Sequence, residues 1–183
     1  MFKIKVSESI IQHCESQIEI YNFGQRNQAN GTPEQQLTGI IGQSVVMTFF
    51  DLDLVNGQSG FDDGIDIVYA GLKIDVKTMG RTTDVRRNYT NNFLKLQDYF
   101  STEVYIFCSY NKKNFELTVC GWIDKQTFVS KRKYFPRGTT RTRTDGSTFK
   151  TFSDLFEIDI VELNDVQSSD DLKEQLGRFS TNR

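Results

Sequence analysis

Asp62-Asp63-Gly64-Ile65-Asp66-Ile67-Val68-Tyr69-Ala70-Gly71-Leu72-Lys73-Ile74-Asp75-Val76-Lys77-Thr78 is the stretch on which the fold turns. Its two β-rich runs, Ile65 to Tyr69 and Leu72 to Thr78, flank Ala70-Gly71, a pair that closes a tight hairpin. Alternation along the second run sends Ile74, Val76 and Thr78 to one face and Asp75 and Lys77 to the other. A symmetric turn then sets position 66 opposite position 75, with the Asp66 and Asp75 side chains starting roughly 5 Å apart. Like charges so placed oppose folding unless something offsets them. A divalent cation such as Mg²⁺ does so by taking carboxylate oxygens. Lys77, diagonal to Asp66, is placed to meet a bound anion. Two acids and a lysine in this order suit metal-assisted phosphodiester hydrolysis. The plainer reading is a solvated strand face on which Asp66 and Asp75 pair with Lys73 or Lys77. The facing of the two acids favours the functional one.

An acid on one strand followed by an acid-x-Lys triplet on the next, here Asp66 and then Asp75-Val76-Lys77, resembles the signature of the PD-(D/E)xK nuclease superfamily. Ile65 stands where that name has its proline. The likeness extends from the helix near Pro33 to the strand near Asp159. It implies an α/β domain with a restriction-endonuclease-like core, a mixed central sheet of roughly four to five strands flanked by helices. It also implies a Mg²⁺-dependent endonuclease, with Mn²⁺ able to substitute. Asp66, Asp75 and the Val76 carbonyl would then hold one or two ions, and Lys77 would orient the attacking water or stabilise developing charge. The first core helix of the family often carries a glutamate near the metal. In this chain Gly39-Ile40-Ile41-Gly42-Gln43 puts the neutral Gln43 at that place. Glu34, in the first turn of the same helix, is the other acid in reach, and its plainer role is to complement the helix dipole.

Composition sets the bounds around this motif. A chain of 183 residues with 15 Phe and 7 Tyr builds one domain with a real core. We divide it into an N-terminal helix and linker (1–31), a core (32–163) and a C-terminal helix (164–183). Two prolines and the lack of a low-complexity tract argue against disorder. No apolar run reaches transmembrane length, and Met1-Phe2-Lys3-Ile4-Lys5-Val6 is no secretory segment, so a cytoplasmic protein without membrane contact is expected. Cys14, Cys108 and Cys120 are odd in number and widely spaced, which fits buried, reduced thiols. The single histidine, His13, excludes histidine-pair nucleases and reads as a solvated side chain.

A net charge of −2 hides an uneven distribution. Lys131, Arg132, Lys133, Arg137, Arg141, Arg143 and Lys150 face only Asp145 between positions 131 and 150. Tyr134, Phe135 and Gly138 interleave them, a pattern suited to a polyanion and to unpaired bases. Arg81, Arg86 and Arg87, just after the motif strand, could grip phosphates. These residues make nucleic acid, DNA above all, the expected partner, and leave a homodimer open.

Upstream, Ser7 or Ser9 caps a helix to about Tyr21, with Ile10, Ile11, Cys14, Ile18 and Tyr21 as its stripe. Thr32-Pro33-Glu34-Gln35 starts a second helix with a capping box and runs to about Phe50, burying Leu37, Ile40, Ile41, Val45 and Phe49. Asp51, Asp53, Asp62 and Asp63 lie in the loop before the hairpin, and the last two support a metal through water or simply shape a turn. Downstream, Asn92 to Phe100 reads as a short helix burying Phe93, Leu96 and Phe100. Glu103–Tyr110 and Phe115–Ile123 read as paired strands, with Trp122 packed at the end. Asp124 caps a helix to Ser130, and the basic loop follows, with a merely solvated, mobile loop as its plainer reading. Phe156 to Leu163 forms the last strand, and Ser168 or Ser169 caps a helix closed by Gly177. The runner-up function is a non-catalytic nucleic-acid-binding module, favoured by Gln43. An interaction subunit whose basic loop meets an acidic protein is third.

Overall fold

Ala70 and Gly71 both take positive φ, 49° and 78°, the paired left-handed conformations of a type I′ turn whose twist matches that of its strands. Around it the computed structural model describes residues 1–24, 31–59, 63–142 and 146–183. In chain order the strands are β1 (Phe2–Lys5), β2 (Ile67–Tyr69), β3 (Leu72–Arg81), β4 (Thr90–Leu94), β5 (Val104–Asn111), β6 (Glu116–Asp124), β7 (Lys133–Phe135), β8 (Thr140–Thr142), β9 (Thr148–Lys150) and β10 (Leu155–Asp159). The helices are α1 (Glu8–Ile20), α2 (Pro33–Phe49), α3 (Lys125–Lys131) and α4 (Ser169–Thr181).

The chain is mixed α/β. Its main sheet has five strands in the order β1-β6-β5-β3-β2. Only the β3–β5 pairing is parallel. One face carries Ile74, Val76, Val104, Ile106, Cys108 and Val119 against Cys14 of α1, Ile40, Ile41 and Val45 of α2, and Leu172 and Leu176 of α4. The other face turns Tyr105, Phe107, Cys120 and Ile123 onto Phe93, Phe128, Phe156 and Ile158. The Tyr105, Phe93 and Phe128 rings stand 5.0 Å apart pairwise. That second layer is a three-stranded sheet, β4-β10-β7, with α3 beside it, and β8 and β9 form a separate hairpin.

Several elements follow from local chemistry. Thr32 and Gln35 exchange both bonds of a capping box, and Pro33 opens α2. Ser7, Asp124 and Ser168 cap α1, α3 and α4. All three cysteines are free and buried, and burial pushes the Cys120 thiol up to about 12.

Other expectations are corrected. The run after Asn92 is a strand and a 3-10 turn (Lys95–Gln97) instead of a helix, because β4 pairs with β10 at Phe93↔Phe156. The basic run is not one loop but contributes β7, β8 and β9. The final strand belongs to the second sheet, and the fifth strand of the main sheet is β1, paired with β6. α4 continues through Gly177 to Thr181. His13 is half-buried, and its Nε2 donates to the Val55 carbonyl at 2.8 Å. Trp122 is buried at the end of β6, in keeping with its expected packing, with Nε1 donating to Gln175. Among the described residues no helix is long and apolar enough to cross a membrane.

Candidate active site

β2 is three residues long and pairs β3 only at Leu72, Lys73 and Ile74. Among the described residues that edge of β3 has no strand partner beyond Ile74, and the alternation of the ladder points the Val76 N–H and C=O into the gap. A cleft of about 1720 Å³ opens there. Its walls include Glu34, Gln43, Asp66, Asp75, Val76 and Lys77, so the fold brings the motif residues and both helix residues to one place.

Asp75 and Lys77 lie on the aromatic face of the sheet and form an ion pair at 2.6 Å, with side chains 3% and 17% exposed. The Lys77 ammonium also stands 5.6 Å from the Phe93 ring centre, within cation–π range. Taking both charges out of water costs several kcal/mol per ion before their attraction offsets it. Tyr105 stands opposite Asp75 on β5. Its buried phenol has no hydrogen-bond partner among the described residues. Burial first, and then the Asp75 charge, pushes that phenol well above its usual range.

Asp66 departs from the geometry the sequence implied. The register Tyr69↔Leu72, Val68↔Lys73 and Ile67↔Ile74 is that of a symmetric turn. It stops one step short of opposing Asp66 to Asp75. The Asp66 N–H donates instead to the Ile74 carbonyl at 2.9 Å, and its Oδ2 accepts the Val76 N–H at 2.6 Å. The chain enters β2 from a turn in which Asp63 and Gly64 have φ of 53° and 74°, so the backbone leaves the ladder at this residue. Asp66 is therefore bonded to the open edge of β3 and is not a cross-strand partner of Asp75.

α2 reaches the cleft through Gly42. A Cβ there would fall 1.9 Å from the Thr78 Oγ1, so only glycine lets the helix lie this close to β3. Gln43, the next residue, consequently lines the cleft. Glu34 lines it too but is exposed and bonded to Lys112 at 2.6 Å, a bond that holds its carboxyl below the ordinary range.

The arginines and lysines expected to bind nucleic acid separate into two groups. Arg81 is half-buried, donates to the Thr90 carbonyl and stacks on Tyr89. Arg87 pairs with Asp165, Lys131 with Glu162 and Lys133 with Asp159. Arg132 holds Asp98 with two bonds and lies 3.7 Å over the Phe156 ring. Arg141 holds Glu157 with two bonds and lies 3.8 Å over Phe135. Arg86 is exposed away from the cleft lining. Among the described residues of the set, Arg137 and Lys150 line the cleft. Arg143 and Asp62 lie outside the described residues. The sequence pattern did not single out Lys95, Lys112, Tyr105 or Phe152 at the cleft or beneath it. For Tyr105 the signal existed, since a parallel neighbour of β3 in this register faces it to Asp75.

Among the described residues no group of three or more His, Cys, Asp and Glu side chains forms a metal cage. The donor set beside the open edge is two carboxylates and one carbonyl, and it suits Mg²⁺, which binds through one or two carboxylates and keeps waters or substrate phosphates as its other ligands. Comparison of the chain with family models, with curated proteins and with solved structures returns no match.

Proposed function

We propose that the chain is a Mg²⁺-dependent nuclease with a restriction-endonuclease-like core, hydrolysing phosphodiester bonds in DNA. The observation that carries this reading is the Asp75–Lys77 pair, largely buried in the wall of a large cleft, beside the edge of β3 that lacks a strand partner among the described residues. Apolar residues of the same volume would stabilise the sheet as well or better, and costly charge in a cleft marks chemistry. The cleft exceeds the ~300–1,000 Å³ of small-molecule pockets, which fits a polymeric substrate.

Asp66, Asp75 and the Val76 carbonyl would hold the ion. When bound, it supplies charge neutralisation at the phosphate and lowers the pKa of a coordinated water. Asp66, held by the Val76 amide, is fixed in orientation before any ligand arrives. Lys77 has Asp75 as its anchor and turns its ammonium toward the phosphate or the attacking water, where donors act on developing charge. Arg137 and Lys150 hold the strand by its phosphates without reading sequence.

The test is incubation with plasmid and with single-stranded DNA in Mg²⁺, Mn²⁺ or EDTA. Cleavage is expected with either metal, none with EDTA and none for Asp75→Asn. One observation favours the runner-up, a non-catalytic nucleic-acid-binding module: the cleft wall carries Gln43 where an acid is expected, while Glu34 is engaged by Lys112. Metal-independent DNA binding without cleavage would decide for it.

A further inference from the structure

The cleft has an apolar landmark that the metal chemistry does not use. Phe152 lines it and is 91% exposed, the most exposed of the large hydrophobic side chains among the described residues. An exposed ring on a mobile segment means little. This one sits on a segment anchored on both sides. On one side Thr151 is buried, its N–H donating to the Thr139 carbonyl at 3.0 Å and its carbonyl accepting from Gly138 at 2.8 Å. Its hydroxyl donates to the Pro136 carbonyl at 2.6 Å and accepts from the Thr139 N–H at 3.0 Å. On the other side Asp154 accepts the Arg137 N–H at 2.9 Å and the Tyr134 hydroxyl at 2.8 Å, and its carbonyl accepts the Lys95 N–H at 3.1 Å. Arg137 and Lys150, both exposed, line the same wall, and among the described residues neither has an ion-pair partner.

We propose that this wall is a stacking platform for an unpaired nucleic-acid strand, with one base on the Phe152 ring and the flanking phosphates on Arg137 and Lys150. An aromatic face on an anchored segment, flanked by cations, is what an unpaired strand needs, since its bases offer free π-faces and its backbone offers charge. In a duplex those faces are covered by neighbouring bases. The inference rests on the nuclease reading for its ligand, and it specifies the substrate as single-stranded or locally melted.

Binding in EDTA separates the platform from the chemistry. Labelled oligonucleotides of one sequence, as single-stranded DNA, single-stranded RNA and duplex DNA, are titrated by fluorescence anisotropy with heparin as a base-free polyanion. The unpaired strands are expected to bind more tightly than the duplex, and comparison of the two separates DNA from RNA. Phe152→Ala should weaken the unpaired strands roughly ten- to a hundredfold and leave heparin unchanged, while Phe152→Trp retains strand binding. An exposed ring adds little to the fold, so an unchanged melting temperature validates each variant. Equal or tighter binding of duplex, or Phe152→Ala binding single strands like the parent, overturns the inference. Strand binding that depends on Phe152 without cleavage in any metal leaves it standing and removes the nuclease chemistry. No binding to any nucleic acid removes both.

Discussion

Lys77 is anchored by Asp75 at 2.6 Å in a setting where each charge compensates the other. Deleting one member of such a pair is severe because the survivor stays buried without its counter-charge, typically costing about 3–5 kcal/mol. Replacing both by uncharged groups of similar shape removes that penalty. Lys77→Met is therefore expected to lower the melting temperature markedly. Lys77→Met with Asp75→Asn should recover most of the loss while cleaving no DNA. Calorimetric melting and a plasmid assay on the same preparations check this. A double variant as unstable as the single one would mean that the pair holds the fold together, and retained cleavage would remove both residues from the chemistry.

At the scale of elements, close approaches are set by small residues that sequence periodicity does not weigh. Gly42 sits in the middle of α2, where glycine is unfavourable by about 1 kcal/mol relative to alanine, and yet a methyl there would meet Thr78 Oγ1 at 1.9 Å and its Cβ at 2.8 Å. Gly42→Ala is expected to destabilise by about 1–3 kcal/mol despite the better propensity. Thr78→Ala in the same chain should recover part of that, because it removes two of the three atoms the methyl meets. Urea unfolding of the two variants checks both statements, and a stabilised Gly42→Ala would mean that α2 does not lie on β3 at this distance. Elements with complete local signals were legible: the hairpin at Ala70-Gly71, the Thr32 capping box, and the β5–β6 pair. The run from Asn92 carries a helical signal, because Phe93, Leu96 and Phe100 recur at helical spacing, whereas pairing with β10 and burial of Phe93 decide its structure. β7, β8 and β9 have three residues each, too few to show a period of two. Within the site, Asp75, Val76 and Lys77 were legible as a strand pattern. The rotation of Asp66 onto the Val76 amide was not, because it depends on where the ladder stops.

Over the whole molecule, the basic run that marks the sequence is for the most part not a charged surface. Lys131, Arg132, Lys133 and Arg141 are each opposed by an acid from elsewhere in the chain, Glu162, Asp98, Asp159 and Glu157. A count along the sequence sees the cations together and their partners apart, so it overstates the free charge. Arg141 is the sharpest instance, because the Glu157 carboxylate that it holds is 5% exposed and sits on β10 in the second sheet. Arg141→Ala is expected to destabilise by about 3 kcal/mol, the lower end for a broken buried pair, since Arg141 itself is 30% exposed. That lowers the melting temperature by roughly 6–12 °C for a chain of this size, and Glu157→Gln in the same chain should restore part of it. DNA binding measured well below the midpoint should keep the parent's salt dependence. Arg137→Ala with Lys150→Ala should do the opposite, leaving the melting temperature unchanged and making the slope of log K against log salt shallower by about 1.4 on a single strand, about 0.7 for each phosphate no longer neutralised. Anisotropy titrations over a series of salt concentrations, beside thermal melts of both variants, separate the two roles. A shallower slope for Arg141→Ala would place Arg141 on the phosphates, and an unchanged slope for the double variant would take the strand off the wall formed by Arg137 and Lys150.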